Sequence, residues 1–218
     1  WNMSAVVKDI IAGVVREAGK EHVVVGISGG VDSLVAATIL KKAIGKKLHA
    51  VFVDTGLLRK GEVADVSHYL KKHGFKNLHV VSAEKLFLKR LAGVTDPEKK
   101  RKIIGHTFIE VFEKAVQGEL QDHTISFLAQ GTIYPDRIES ATTSKQVSKI
   151  KSHHNLTLPK KFGFRLIEPL RDLYKDEVRN VGKLLGLPKE LLWRHPFPGP
   201  GLGIRIIGEV TEERLRIL

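Results

Sequence analysis

Val23-Val24-Val25-Gly26-Ile27-Ser28-Gly29-Gly30-Val31-Asp32-Ser33 decides the fold of this chain. A β-branched run leads into Ser-Gly-Gly, and an apolar-periodic segment over 34–44 follows, so the spacing predicts strand, tight turn, helix. The glycines let the backbone turn sharply and let a ligand come close. Unpaired N–H groups at the helix start, with the helix dipole behind them, favour an anion. Ser28 and Ser33 bring hydroxyls to the same turn. Asp32 is out of place beside an anion unless a divalent cation joins them, and it is the candidate Mg²⁺ partner. No Gly-Lys-Ser/Thr follows, so this is not a Walker A loop, and the dinucleotide pattern G-x-G-x-x-G is absent as well.

Outward from this loop the chain alternates strands and helices. Helices are expected over 4–19, 31–44, 62–73 and 172–185, and over most of 83–117 with a break near 93–97. Thr95 or Asp96, followed by Pro97, reads as a helix start there. Strands are expected over 23–28, 47–54, 77–82, 125–129 and 164–167. Helices between strands imply βαβ units, hence an α/β fold with a doubly wound, parallel, five-stranded sheet. Ligands then gather at the carboxyl ends of the strands. Ser28, Asp54 and Gln130-Gly131-Thr132 all stand at such ends. Residues 134–160 lack periodicity and are read as a lid loop or a disordered stretch. Arg194 to Gly203 is rich in Pro and Gly, and Thr211 reads as an N-cap. No internal repeat is found.

The chain has 218 residues, 42% of them hydrophobic and 28% charged, as expected of a globular protein with a sizeable core. No apolar run approaches the roughly 18 residues of a membrane span, and no signal peptide is visible. There is no cysteine, which excludes disulfides and thiolate chemistry within these residues and fits a cytoplasmic protein. The net charge of +12 suits polyanionic ligands, nucleotides or nucleic acid, or simply a solvated surface.

The loop Ser28-Gly29-Gly30-Val31-Asp32-Ser33 resembles the pyrophosphate loop of N-type ATP pyrophosphatases, which cleave ATP between its α and β phosphates. Narrower stretches point further: Val51 to Arg59, Asp96 to Gly105 with Lys-Arg-Lys-Ile-Ile-Gly, Gln130 to Ser140 with Ile-Glu-Ser, Lys151 to Asn155 with His-His-Asn, and Arg194 to Arg205 with His-Pro-Phe-Pro-Gly-Pro-Gly-Leu. Through these the whole chain is similar to the ATP pyrophosphatase domain of the glutamine-hydrolysing GMP synthetase family. The resemblance implies that Mg-ATP adenylylates the C2 oxygen of xanthosine 5′-monophosphate, releasing pyrophosphate, and that ammonia then displaces AMP to give GMP. It implies a homodimer formed through a C-terminal region, ammonia from a glutaminase domain or subunit, and no membrane or nucleic-acid partner. Residues 1–195 would be the pyrophosphatase domain, and 196–218 a linker and the start of the dimerisation region. On that reading the chain is a fragment.

The resemblance assigns roles residue by residue. Ser28, Gly29, Gly30, Asp32 and Ser33 would form the pyrophosphate loop, and Gly26, Val31 and Gly131 would also bind ATP. Val53 would meet the adenine and Phe108 flank it, although both are equally at home in a core. Arg101, Ser140, Asn155 and His195 would bind the acceptor nucleotide, with Arg205 a further candidate. An isolated Lys/Arg run around Arg101 would otherwise read as a solvated helix face. Asp32, Asp136, Glu139, Lys151, His153 and His154 form the catalytic set, with Lys151 a cation for the α-phosphate. Neighbouring histidines point apart on a strand and no third ligand accompanies them, so a zinc site at His153-His154 is not expected. After Asn155 the chain reads Leu156-Thr157-Leu158-Pro159 where many members carry Val-Gly-Gly-Leu-Pro, a departure at the lid hinge. NAD synthetase, a tRNA-thiolating enzyme and a non-catalytic nucleotide-binding module are the alternatives. The thiolating enzymes use cysteines that this chain lacks.

Overall fold

The computed structural model describes residues 2–119, 125–142, 163–195 and 199–218. At its centre is a sheet of five parallel strands: β1 His22–Ile27, β2 Leu48–Asp54, β3 Leu78–Ser82, β4 Ile125–Ala129 and β5 Arg165–Ile167, in the order β3-β2-β1-β4-β5. Val25 of β1 is paired with Ala50 on one side and Ala129 on the other. The chain leaves β1 toward β2 and later returns to its opposite side as β4. That reversal opens a crevice at the strand ends beside Ser28, where open α/β sheets take their ligands.

Both faces of the sheet are covered, which is why β1 and β2 read as nearly continuous apolar runs. Val23, Val25 and Ile27 point into one core with α1 (Met3–Ala18), α2 (Val31–Ile44) and α7 (Lys175–Leu184). Val24, Val51, Val53 and Leu128 point into the other, against α4 (Glu84–Leu91) and α5 (Pro97–Glu119), whose Phe87 and Phe112 are fully buried. α2 lies between the sheet and the α1–α7 pair, and Leu34, Val35, Ala36, Ala37, Ile39 and Leu40 are all inaccessible. A helix buried on all sides holds its N-terminus rigidly, and that end carries the Ser28-Gly29-Gly30 loop. α3 (Glu62–Lys72) covers the first core over β2 and β3.

Several element ends agree with their sequence signals. Asn2 accepts from the Ser4 amide at 3.0 Å to start α1, and Gly19 ends it at φ +56°. Asp96, rather than Thr95, starts α5, its Oδ1 accepting from the Lys99 amide at 2.7 Å. Thr211 accepts from the Arg214 amide at 3.2 Å to start α9 (Glu212–Ile217).

Two expectations are corrected. The stretch expected to be aperiodic from 134 opens with a regular helix, α6 (Tyr134–Thr142). It escaped detection because it turns no apolar stripe inward: Ile138, its one large aliphatic side chain, is 46% exposed. The helix expected from 172 starts at Lys175. Asp172 instead pairs with Arg137 of α6, and the Glu177 carboxylate reaches back to the Tyr174 amide at 2.8 Å. After α8 (Lys189–Leu192), the Pro/Gly segment forms a short 3-10 turn over Gly201–Ile204. No helix among the described residues is long and apolar enough to cross a membrane.

Candidate active site

The loop between β1 and α2 is knitted by its own hydroxyls. Ser33 Oγ accepts from the Ser28 amide at 3.2 Å, donates to the Gly30 carbonyl at 3.0 Å, and lies 3.1 Å from Ser28 Oγ. Ser28 Oγ also accepts from the Gly30 amide at 3.3 Å. The two serines thus shape the turn before any ligand arrives, a role beyond the donor role read from sequence. Gly29 takes φ +76°, which only glycine adopts without strain. The first intrahelical bond of α2 runs from Leu34 N to Gly30 O at 3.2 Å, so the N–H groups of Val31, Asp32 and Ser33 precede the helical ladder at the positive end of the helix dipole.

Asp32 is half-buried. Its Oδ2 accepts from Lys175 Nζ at 2.6 Å, across 143 residues of chain. Its Oδ1 is buried with no hydrogen-bond donor among the described residues. A carboxylate oxygen left in that state is the kind of hard, unsatisfied donor a Mg²⁺ ion completes. Gly131, at the end of β4, abuts this helix start: a methyl group there would lie 3.0 Å from Asp32 C and 3.1 Å from Ser33 N.

On the α5 side of the sheet, Gly26 follows Val24 along the pleat and is in register with Val51, whose next neighbour on that face is Val53. Phe108 of α5 packs against the same core, its ring near-parallel to Phe112 at 6.5 Å between centroids. The positions expected to meet adenine therefore share one face, and Phe108 also serves the core. Arg101 lies near the start of α5, paired with Glu98 at 2.7 Å and 39% exposed. The neighbouring Lys100 points the other way: it is wholly buried and donates to the Ile206 carbonyl at 2.7 Å. Burial, reinforced by the Arg214 charge, pushes the Lys100 amine below its ordinary value.

Asp136 sits in the first turn of α6, and its Oδ2 accepts from the Ile133 amide at 3.0 Å, so this carboxylate also caps a helix. Glu139 is on the same helix, and the backbone of Ser140 belongs to it too. His195 is exposed, and its carbonyl accepts from Arg59 Nη2 at 2.7 Å. Lys151, His153, His154 and Asn155 lie outside the described residues. Among the described residues no cluster of His, Asp and Glu could by itself hold a metal ion.

Three residues at this end of the molecule were not singled out from sequence: Lys175, Glu62 and Lys100. Lys175 had a legible signal, a cation in the first turn of a helix, where the dipole disfavours it. Glu62 had none, because an acid at a helix start is ordinary. Lys100 was hidden inside a basic run.

Fold and loop together place the chain beside known proteins: its architecture is that of the NMN and NAD+ synthetases whose solved structures superpose on it. A family model described as NAD synthase matches residues 3–91. NMN synthetase from Francisella tularensis superposes with a TM-score of 0.65 over 93% of this chain and 79% of that one, at 18% identity. NAD+ synthetase from Burkholderia pseudomallei gives 0.64 over 99% and 80%, at 17% identity. In sequence the chain is similar along its whole length to proteins named GMP synthase [glutamine-hydrolyzing]: 58% identical to that of Solidesulfovibrio magneticus and 55% to that of Thermotoga petrophila. The resemblance to GMP synthetase holds across 100% of the chain, which spans 42% and 43% of those two relatives.

Proposed function

We propose that this chain carries the ATP pyrophosphatase chemistry of a GMP synthetase. The C2 oxygen of xanthosine 5′-monophosphate attacks the α-phosphorus of ATP, and the bond to pyrophosphate breaks. Ammonia then adds at C2 and AMP leaves with the oxygen, giving GMP. The observation that carries this reading is the 58% identity over the entire chain to a glutamine-hydrolysing GMP synthase. The preformed loop at the switch point of the sheet supports it.

In this reading the α2 N-terminus, Gly29, Gly30 and Gly131 receive the pyrophosphate, and Gly26, Val53 and Phe108 surround the base. Adenylyl transfer needs two anionic nucleotides held together and charge spread over the phosphoryl oxygens, rather than a protein nucleophile. Asp32 would hold Mg²⁺, which supplies charge neutralisation on the phosphates when bound; its unsatisfied Oδ1 suits that ion. Lys175 anchors the other carboxylate oxygen. Arg101 and His195 are assigned to the acceptor nucleotide, and Asp136, Glu139, Ser140, Lys151, His153, His154 and Asn155 to the cover over both substrates. Ammonia delivery by a glutaminase, a homodimer and a cytoplasmic location belong to the same proposal.

The test is pyrophosphate release from Mg-ATP and ammonium with xanthosine monophosphate, with nicotinate adenine dinucleotide, or with no acceptor. Release that requires xanthosine monophosphate and yields GMP is expected. Release with the dinucleotide instead would favour NAD synthetase chemistry, the reading suggested by the family match over 3–91. Binding of ATP without turnover on any acceptor would leave a nucleotide-binding module. Asp32→Asn is expected to lower turnover by at least about 100-fold, the scale of losing one transition-state contact, with weakened dependence on Mg²⁺.

A further inference from the structure

Glu62 opens α3 and is only 3% exposed, yet it carries a carboxylate. Three separate parts of the chain meet on it. Its Oε2 accepts from the Arg59 amide at 3.1 Å, which fixes the loop after β2. Its Oε1 accepts from Arg194 Nη1 at 2.8 Å, from a residue 132 positions away. The same oxygen presses on the phosphate loop, since a methyl group built on Gly29 would lie 2.8 Å from it. Beyond Arg194, His195 and the turn at 201–204 are fastened to the loop after β2. Arg59 Nη2 donates to the His195 carbonyl at 2.7 Å, and the Leu202 amide donates to the Leu57 carbonyl at 2.7 Å. Gly201, at φ +70°, lies so close that a Cβ would stand 2.3 Å from Leu57 O.

We infer that Glu62 is a positioning residue that couples the phosphate loop to Arg194, His195 and the turn at 201–204. This rests on reading the loop as the ATP site. The Glu62 oxygen that lies against Gly29 is the one that holds Arg194, so the loop and Arg194 share a single contact atom. Ligand at the loop therefore stiffens Arg194, His195 and the turn at 201–204, and by reciprocity order in these residues tightens the loop on its ligand.

The test uses Glu62→Gln, which keeps the volume and an acceptor for the Arg59 amide while removing the charge, and Arg194→Gln, which breaks the same pair from the solvent side. Mg-ATP affinity is measured by calorimetry without acceptor, and hydrogen exchange at the Leu202 amide is followed with and without Mg-ATP. In the unsubstituted protein Mg-ATP is expected to slow exchange at Leu202. Each variant is expected to bind Mg-ATP about tenfold more weakly, the fold-change of one lost charged hydrogen bond, and to lose the slowing. The double variant should be no worse than either single one, as for two halves of one contact. Slowing at Leu202 in both variants equal to that in the unsubstituted protein, or no response in that protein itself, overturns the inference. If Glu62→Gln does not fold, Arg194→Gln decides. Transmission to Leu202 without GMP formation would defeat only the proposed function. GMP formation with unaltered variants would defeat only this inference.

Discussion

A methyl group at Gly131 would meet the backbone of Asp32 and Ser33, not a side chain that could swing aside. Gly131→Ala must therefore push the start of α2 away from the end of β4. Overpacking of this kind costs about 1–3 kcal/mol, and here it also displaces the amides at the start of α2 that are proposed to receive the phosphates. The expected outcome is a lower melting temperature together with weaker Mg-ATP binding, read by differential scanning fluorimetry and calorimetry. An unchanged affinity would mean that the loop does not depend on β4. Lys175→Met leaves Asp32 without its cation. Pyrophosphate release should fall at least about tenfold, the scale of one charged hydrogen bond, with the Mg²⁺ requirement shifted to higher concentration. At this scale the sequence displayed the loop but not its supports. The turn is a local pattern, whereas Lys175 and Arg194 reach Asp32 and Glu62 from the other end of the chain.

Among the elements, α5 shows how much a cap and a single buried lysine decide. Asp96→Ala removes the acceptor for the Lys99 amide and should cost about 1 kcal/mol, measurable by urea unfolding. Lys100 joins α5 to the segment that follows the 3-10 turn. Its folded-state pKa lies below the unfolded value of 10.5, so on approaching that pH the unfolded chain holds more of the proton than the folded one. Stability contributed by this group therefore rises with pH across the alkaline range below 10.5. Lys100→Met should remove that slope from the pH profile of urea unfolding. A slope equal to that of the unsubstituted protein would place the amine in water. α6 marks the limit of periodicity as a guide: a helix that buries no apolar stripe leaves no 3.6-residue signal, and its start depends on Asp136 reaching back to Ile133.

At the level of the whole molecule, two cores flank one sheet, and the sequence announced both, because a strand covered on each face is apolar at nearly every position, His49 of β2 being a buried exception. The edge strand β3, half-exposed, and the three-residue β5 carry weaker signals than β1 or β2. The neighbours of β1 depend on pairing between distant segments and follow only from the doubly wound pattern. Phe112 fills the second core without any exposed surface. Phe112→Ala should destabilise the whole molecule by about 3–5 kcal/mol, with the loss of melting temperature not restored by Mg-ATP. A smaller loss would show that the α4–α5 layer can collapse onto the cavity.

The bond from Lys100 to the Ile206 carbonyl spans 106 residues, and so it also spans time. At roughly 5–20 residues per second, the amine is synthesised on the order of 5 to 20 s before its acceptor exists. A nascent chain that has emerged only through β4 must keep this lysine in water, because the carbonyl that admits it to the interior has not been made. The second core is thus sealed late, by a segment that also fastens the loop after β2, and a ribosome paused before residue 206 would hold an unsealed domain.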